Sequence, residues 1–244
     1  MGLTQEVAHF VARTRYRDIP KEIVQLARGF ILDGLGVALA GSTDECSRIV
    51  QAQVRQMSGK GESSIVGTAL AAPAAKAALA NGVAGHAMDY DDTQLSTSKE
   101  AVYGLLTHPT TPVLAALLAV GEKEKITGEE FVLAYLLAVE VECRIADAIN
   151  PRHYQDGFHS TATMGGLGAA MAVGKILRLK EPELITTLGV IRRSIYFGDA
   201  IDYSVELSSG KVFRVIAPPS QRLEPGQAIS AAAHPQHCVV VRED

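Results

Sequence analysis

Apolar residues recur at helical spacing through most of the first 190 positions or so, and the breaks between runs fall at glycine, proline and capping residues. Val7, Phe10 and Val11 predict a first helix over residues 4–17, and Pro20 suits the first turn of a second. Ile23, Leu26, Ala27, Phe30, Ile31, Leu35 and Val37 carry the second helix to Gly41-Ser42, with a stripe so broad that the helix is expected to be largely enclosed. Thr43 is the expected cap of a third helix over 44–57, and 63–66 reads as a short extended segment. Pro73 opens an alanine-rich helix over 74–88 whose composition places it in a core. After a polar loop over 94–106, Thr111 and Pro112 open a helix over 113–122. Thr127 and Glu130 form a capping box ahead of a long helix to Ile149, in which Glu140 and Arg144 are spaced for an ion pair. A loop over 152–158 leads to a helix ending at Leu177, rich in glycine and alanine and so suited to close packing, then to a last helix over 181–191.

Beyond that point the period changes. Residues 194–197, 203–207, 211–216, 228–232 and 238–241 read as short strands, with Ser208-Ser209-Gly210 as a hairpin turn and 223–227 as another turn. The expected fold is mainly α, a multi-helix domain over 1–191 followed by a small all-β module over 192–244.

Charge narrows the function. Charged residues make up 20% of the 244 and the formal net charge is −4, so no basic surface argues for nucleic acid or acidic membranes. Cys46, Cys143 and Cys238 are far apart and form no CxxC, which fits buried free thiols in a reducing cytoplasm and argues against a structural zinc site. The first residues lack the pattern of a signal peptide, and apolar runs such as 131–141 fall short of a membrane span. A cytoplasmic protein with small or protein partners is expected.

Candidate chemistry collects where the alanine-rich helix runs into Asp89, Asp91, Asp92 and Thr93, answered by Thr107-His108-Pro109-Thr110. Carboxylates at the end of an apolar helix oppose its dipole and need partners, and a nearby histidine can share their protons. The plain alternative is that Asp91 and Asp92 end the helix by accepting from backbone N–H groups of the next loop.

The run Gly85-His86-Ala87-Met88-Asp89-Tyr90-Asp91-Asp92-Thr93, with Thr107-His108-Pro109, Gly157-Phe158-His159 and the small-residue helix carrying Gly174-Lys175, resembles the MmgE/PrpD family, which includes 2-methylcitrate dehydratase and cis-aconitate decarboxylase. The resemblance implies a lyase-type site, free of cofactor and metal, for a small di- or tricarboxylate, and a homodimer. By motif position His108, His159, Asp89 and Thr93 match pocket residues and are the catalytic candidates, with Asp92, Thr93, Thr110 and Ser160 as substrate-binding candidates. The chemistry it implies is dehydration, decarboxylation or epimerisation by proton transfer beside a carboxylate, with a histidine moving the proton, Thr93 binding a carboxylate oxygen and Asp89 setting a histidine's tautomer. His86 reads as a structural histidine, and His9, His153, His234 and His237 as surface residues. The family's lysine-bearing segment and second domain are not found after Ile191, so weak or no activity is an expectation of the same reading, with Lys99 and Lys175 as the local cations.

The tail, through Tyr196-Phe197-Gly198-Asp199, Gly210-Lys211, Leu223-Glu224-Pro225-Gly226-Gln227 and His234-Pro235-Gln236-His237, resembles the TOBE module of ABC-importer ATPases. No GxxxxGK[ST] sequence accompanies it, so ATP hydrolysis is not implied. It supports an alternative function, non-catalytic binding of a small ligand or association with an ABC transporter.

Overall fold

A computed structural model describes residues 3–56, 59–94, 107–149, 152–188, 190–196, 201–206 and 212–217. Helices dominate it, in the expected order but for a short α7 where a loop was expected: α1 (Leu3–Arg13), α2 (Lys21–Gly41), α3 (Glu45–Gln56), α4 (Ala74–His86), α5 (Thr110–Glu124), α6 (Gly128–Ile149), α7 (Arg152–Gln155), α8 (Ser160–Ile176) and α9 (Glu181–Leu188). A tiny antiparallel ribbon, β1 (Ser63–Ser64) with β2 (Ala71–Ala72), precedes α4. Val190–Tyr196 (β3), Ile201–Glu206 (β4) and Val212–Ala217 (β5) form a three-stranded antiparallel sheet in which Ser194 pairs with Tyr203 and Tyr203 with Val215. The strands expected at 228–232 and 238–241, and both turns, lie outside the described residues.

α5 is the central helix, packed on α4, α6 and α8. Val113 and Leu117 of α5 meet Val24 and Ala27 of α2, Val132, Tyr135 and Ala138 of α6, and Ala172 and Ile176 of α8 in one apolar cluster. A second cluster joins Val54 of α3, Ile65, and Ala77 and Ala80 of α4. A third sets Ala8 and Val11 of α1 against Val141, Met171 and Leu184.

Several boundaries differ from expectation for local reasons. The first helix stops at Arg13, and a 3-10 turn follows over Tyr16–Asp18. Thr43 donates its hydroxyl back to Ala40 at the end of α2, and Asp44 Oδ1 takes the capping role by accepting from Cys46 N at 3.1 Å. α5 begins at Thr110, three residues early, because Asp92 accepts from Thr110 N at 3.1 Å and satisfies an orphan donor of its first turn. α9 gives way at Val190, whose β-branched run pairs with Val205 and Glu206. Thr127 and Glu130 do form the expected box, with Glu130 Oε2 accepting from Thr127 N at 2.9 Å, and Glu140 pairs with Arg144.

α2 is not enclosed. Its Val24, Ala27, Gly34 and Ala38 face packs inward, but Leu26, Phe30, Leu32 and Leu39 are 49–71% exposed. The apolar stripe is wider than the single line of neighbours that the described residues supply. By length and composition the same 21-residue helix is apolar enough to cross a membrane. The thiols also depart from the expected burial, since Cys46 is exposed and Cys143 only half-buried.

Glu142 is the most costly polar group in the core. It is fully buried on α6, both carboxyl oxygens lack a hydrogen-bond partner among the described residues, and burial, reinforced by the charge of Asp92, pushes its pKa well above the usual carboxylate value. A raised folded-state pKa means that its proton is kept in the fold and lost in the unfolded chain, so this contribution to stability is full below about pH 4.5 and falls as pH rises toward the folded value. Glu142→Met should therefore stabilise the protein by about 1–3 kcal/mol at pH 8 and by less at pH 5. Chemical denaturation at the two pH values measures the difference.

Candidate functional site

Two close helix crossings assemble the site. A Cβ at Gly85 would stand 2.7 Å from the Thr111 methyl, so only glycine lets the end of α4 touch the start of α5. A Cβ at Gly165 would collide with the Pro112 ring, which fixes α8 against the same turn of α5. His86, at the last turn of α4, is thereby set beside His108, just ahead of α5, with ring centroids 4.9 Å apart. His159 at the start of α8 comes within 6.2 Å of the His86 ring.

Asp91 lies between the first two. Its side chain is 1% exposed, and its carboxylate receives His86 Nδ1 at 2.9 and 3.1 Å. His108 Nδ1 approaches the Asp91 backbone carbonyl at 3.3 Å and the carboxylate at 3.5 Å. Carboxylate and carbonyl oxygens only accept, so in the neutral rings both protons sit on Nδ1 and both Nε2 atoms carry a lone pair. Asp89 completes the group: its exposed carboxylate is 3.7 Å from His108 Nε2. Asp89 has φ 55°, an uncommon left-handed conformation for a residue other than glycine, and it turns the chain straight after α4. His108 is held from a third side, where Thr161 Oγ1 accepts from its backbone N at 3.0 Å.

A second polar chain runs inward. Asp92 accepts from Thr110 N and, at 2.6 Å, from Thr110 Oγ1, and Tyr135 donates to that hydroxyl at 2.6 Å. Burial raises the Asp92 pKa, the two bonds from Thr110 opposing the rise, and burial also pushes the Tyr135 phenol and the Cys143 thiol upward. Glu142 lies close enough to add its charge to this group.

Of the residues singled out in the sequence, His108 and Asp89 are together, and His159 lies beside the His86 ring. Thr93 is exposed just beyond Asp92. Thr110 and Ser160 are 2% and 0% exposed, and Thr110 is engaged by Asp92 and Tyr135. Among the described residues the Asp91 and Asp92 carboxylates reach His86 and the start of α5, and the loop over 95–106 lies outside them. Lys175 is not available to the site: its ammonium donates to the carbonyls of Val11, Ala12 and Thr14 at 2.7, 3.2 and 2.8 Å, and burial lowers its pKa. Lys99 lies outside the described residues. His153 proves half-buried, stacked on Phe158 and bonded to Thr163, with a pKa lowered by burial.

In the sequence His86 reads as structural, and Asp91 belongs to the acidic run without being among the catalytic or substrate-binding candidates. The only sequence signal was their spacing: a turn of five residues lets a side chain at the helix end fold back on the one after the turn.

The family model for the MmgE/PrpD N-terminal domain matches residues 5–192, and that for a TOBE domain matches 177–241. Human cis-aconitate decarboxylase is 28% identical over 195 residues, covering 78% of this chain and 39% of its own length. The mouse cis-aconitate decarboxylase is 29% identical and that of Aspergillus terreus 27%, each over 78% of this chain and 38% of its own length. The chain thus spans about two fifths of the length of these curated relatives.

Thr110→Val keeps the shape of the side chain but removes its hydroxyl from between Asp92 and Tyr135. It should cost about 1–3 kcal/mol, since two buried polar groups lose a partner. Urea denaturation of the two proteins gives the difference.

Proposed function

This chain belongs to the MmgE/PrpD family, and from that premise we propose that it is built for lyase-type proton transfer on a small polycarboxylate. The observation that carries the reading is the arrangement around Asp91, which holds the proton of His108 on Nδ1 and so presents Nε2 as a base beside Asp89. His108 Nε2 takes the proton from the carbon next to a substrate carboxylate, and the electron pair left behind is delocalised into that carboxylate. Loss of a β-hydroxyl from the resulting carbanion would be dehydration. In a decarboxylation, the C–C bond to a carboxylate breaks, CO2 leaves, the electron pair stays with the carbon skeleton, and His108, starting as the imidazolium, gives its Nε2 proton to carbon. Asp89 stabilises the imidazolium in either reaction. His86 shares Asp91 and keeps its own Nε2 as a second base, with His159 flanking it at the positive end of α8.

The relatives named as cis-aconitate decarboxylases support cis-aconitate as a first substrate to try, and the family resemblance adds 2-methylcitrate. Among the described residues the cluster holds no lysine or arginine, so the charge of a polyanion has to be met by cations from elsewhere.

A second reading rests on the TOBE match over 177–241: binding of a small ligand, or of a transporter component, by the tail. It expects ligand-dependent stabilisation that His108→Ala leaves unchanged.

Turnover of cis-aconitate and 2-methylcitrate, followed by chromatography, tests the first reading. His108→Ala should lower the rate about 100- to 10,000-fold, the range of a lost acid–base group. Equal rates in the two proteins would remove the catalytic role.

A further inference from the structure

The same cluster has a property that proton transfer does not require. His86, Asp89, Asp91 and His108 each offer one ligand atom, and these four atoms lie within 4.8 Å of one another. We propose that they form a binding site for a divalent transition-metal ion of the zinc type.

The donor set is two imidazoles and two carboxylates, which suits Zn2+ or Co2+ better than the all-oxygen preference of Mg2+ or Ca2+. Ligand distances of about 2.0–2.2 Å around a tetrahedral ion put the donors about 3.4 Å from one another. The separations from Asp91 to Nδ1 of His86 and of His108, 2.9 and 3.5 Å, bracket that spacing, and an ion bound there replaces the Nδ1 protons, leaving the rings protonated on Nε2. Two carboxylates with two neutral rings also balance a charge of +2, and among the described residues the ion pairs of Asp89 and Asp91 go only to these histidines.

The donors are positioned before any ion arrives. His86 ends a core helix, Asp91 is 1% exposed, and His108 is held through its backbone by Thr161. Asp89 is the open edge, 78% exposed, on a left-handed residue that points the chain at His108. An ion can enter from that side and find three donors in place. Its ligands are the groups that hold and relay protons, so metal occupancy and proton transfer exclude one another. That inhibitory consequence rests on the lyase reading; the binding itself does not.

The test titrates metal-free protein with Co2+ and reads visible d–d absorption, with equilibrium dialysis for stoichiometry. One Co2+ per chain should bind, be displaced by Zn2+ and resist excess Mg2+. Asp89→Asn, at an exposed position that the fold tolerates, and His108→Ala should each weaken binding by more than about tenfold. His9→Ala, in an exposed pair with Glu181, should leave it unchanged. Circular dichroism and a Zn2+-dependent rise in Tm, present in the parent and in His9→Ala but lost in Asp89→Asn, show that the variants are folded and that the ion binds the native state. No uptake by the folded parent, or uptake equal in Asp89→Asn and His108→Ala, overturns the site. If Co2+ binds as described but neither carboxylate substrate turns over, the metal inference stands and the lyase reading falls.

Discussion

A carboxylate that has left water must be given partners, and Asp91 is given two imidazoles. Much else in this region follows from that demand. The helix carrying His86 must end where it does, the chain must reverse within five residues to return Asp91 to it, and the segment ahead of α5 must bring His108 to the other side. The left-handed backbone at Asp89 is one cost of that reversal, of the order of 1–3 kcal/mol where such strain is imposed. The glycine at 85 is another, since no side chain fits between α4 and Thr111.

Behind this pair of rings the protein sets a different kind of acid. Half-buried Asp92 and fully buried Glu142 lie near the junction of α5 and α6, both with pKa values moved upward, and among the described residues only Asp92 has hydrogen-bond donors around it. The two aspartates, adjacent in sequence, therefore serve opposite ends: Asp91 orients groups that can exchange protons with solvent, and Asp92 ties the first turn of α5 to Tyr135. Tertiary environment, not residue type, divides the labour.

Much of the helical layout could be read from the sequence because apolar period, prolines and the Thr127–Glu130 box all agree locally. What failed was whatever depends on partners far along the chain. Asp92 capping α5 cannot be seen from either segment alone, so the helix start was placed at the nearer Thr111-Pro112. The breadth of the α2 stripe was taken as burial, although width of an apolar face says how much a helix can cover, not how many neighbours arrive. At the site, the motif names His108 and Asp89, which the structure brings together, while the depth at which Thr110 and Ser160 lie depends on packing that no local pattern records. His86 was set aside as structural because a lone histidine at the end of an alanine-rich helix carries no sign of the acid that will fold back to it.

Lys175 illustrates a constraint of another order. Its ammonium closes the carboxyl end of α1 by reaching carbonyls 161–164 residues earlier in the chain, and α1 otherwise rests on α6, α8 and α9. On a ribosome α1 is thus made before the surface it packs against, and until α6, α8 and α9 have all left the exit tunnel Ala8 and Val11 lack part of what buries them. Until then α1 waits as an incompletely covered amphipathic stretch, and nascent-chain chaperones have that interval in which to hold it.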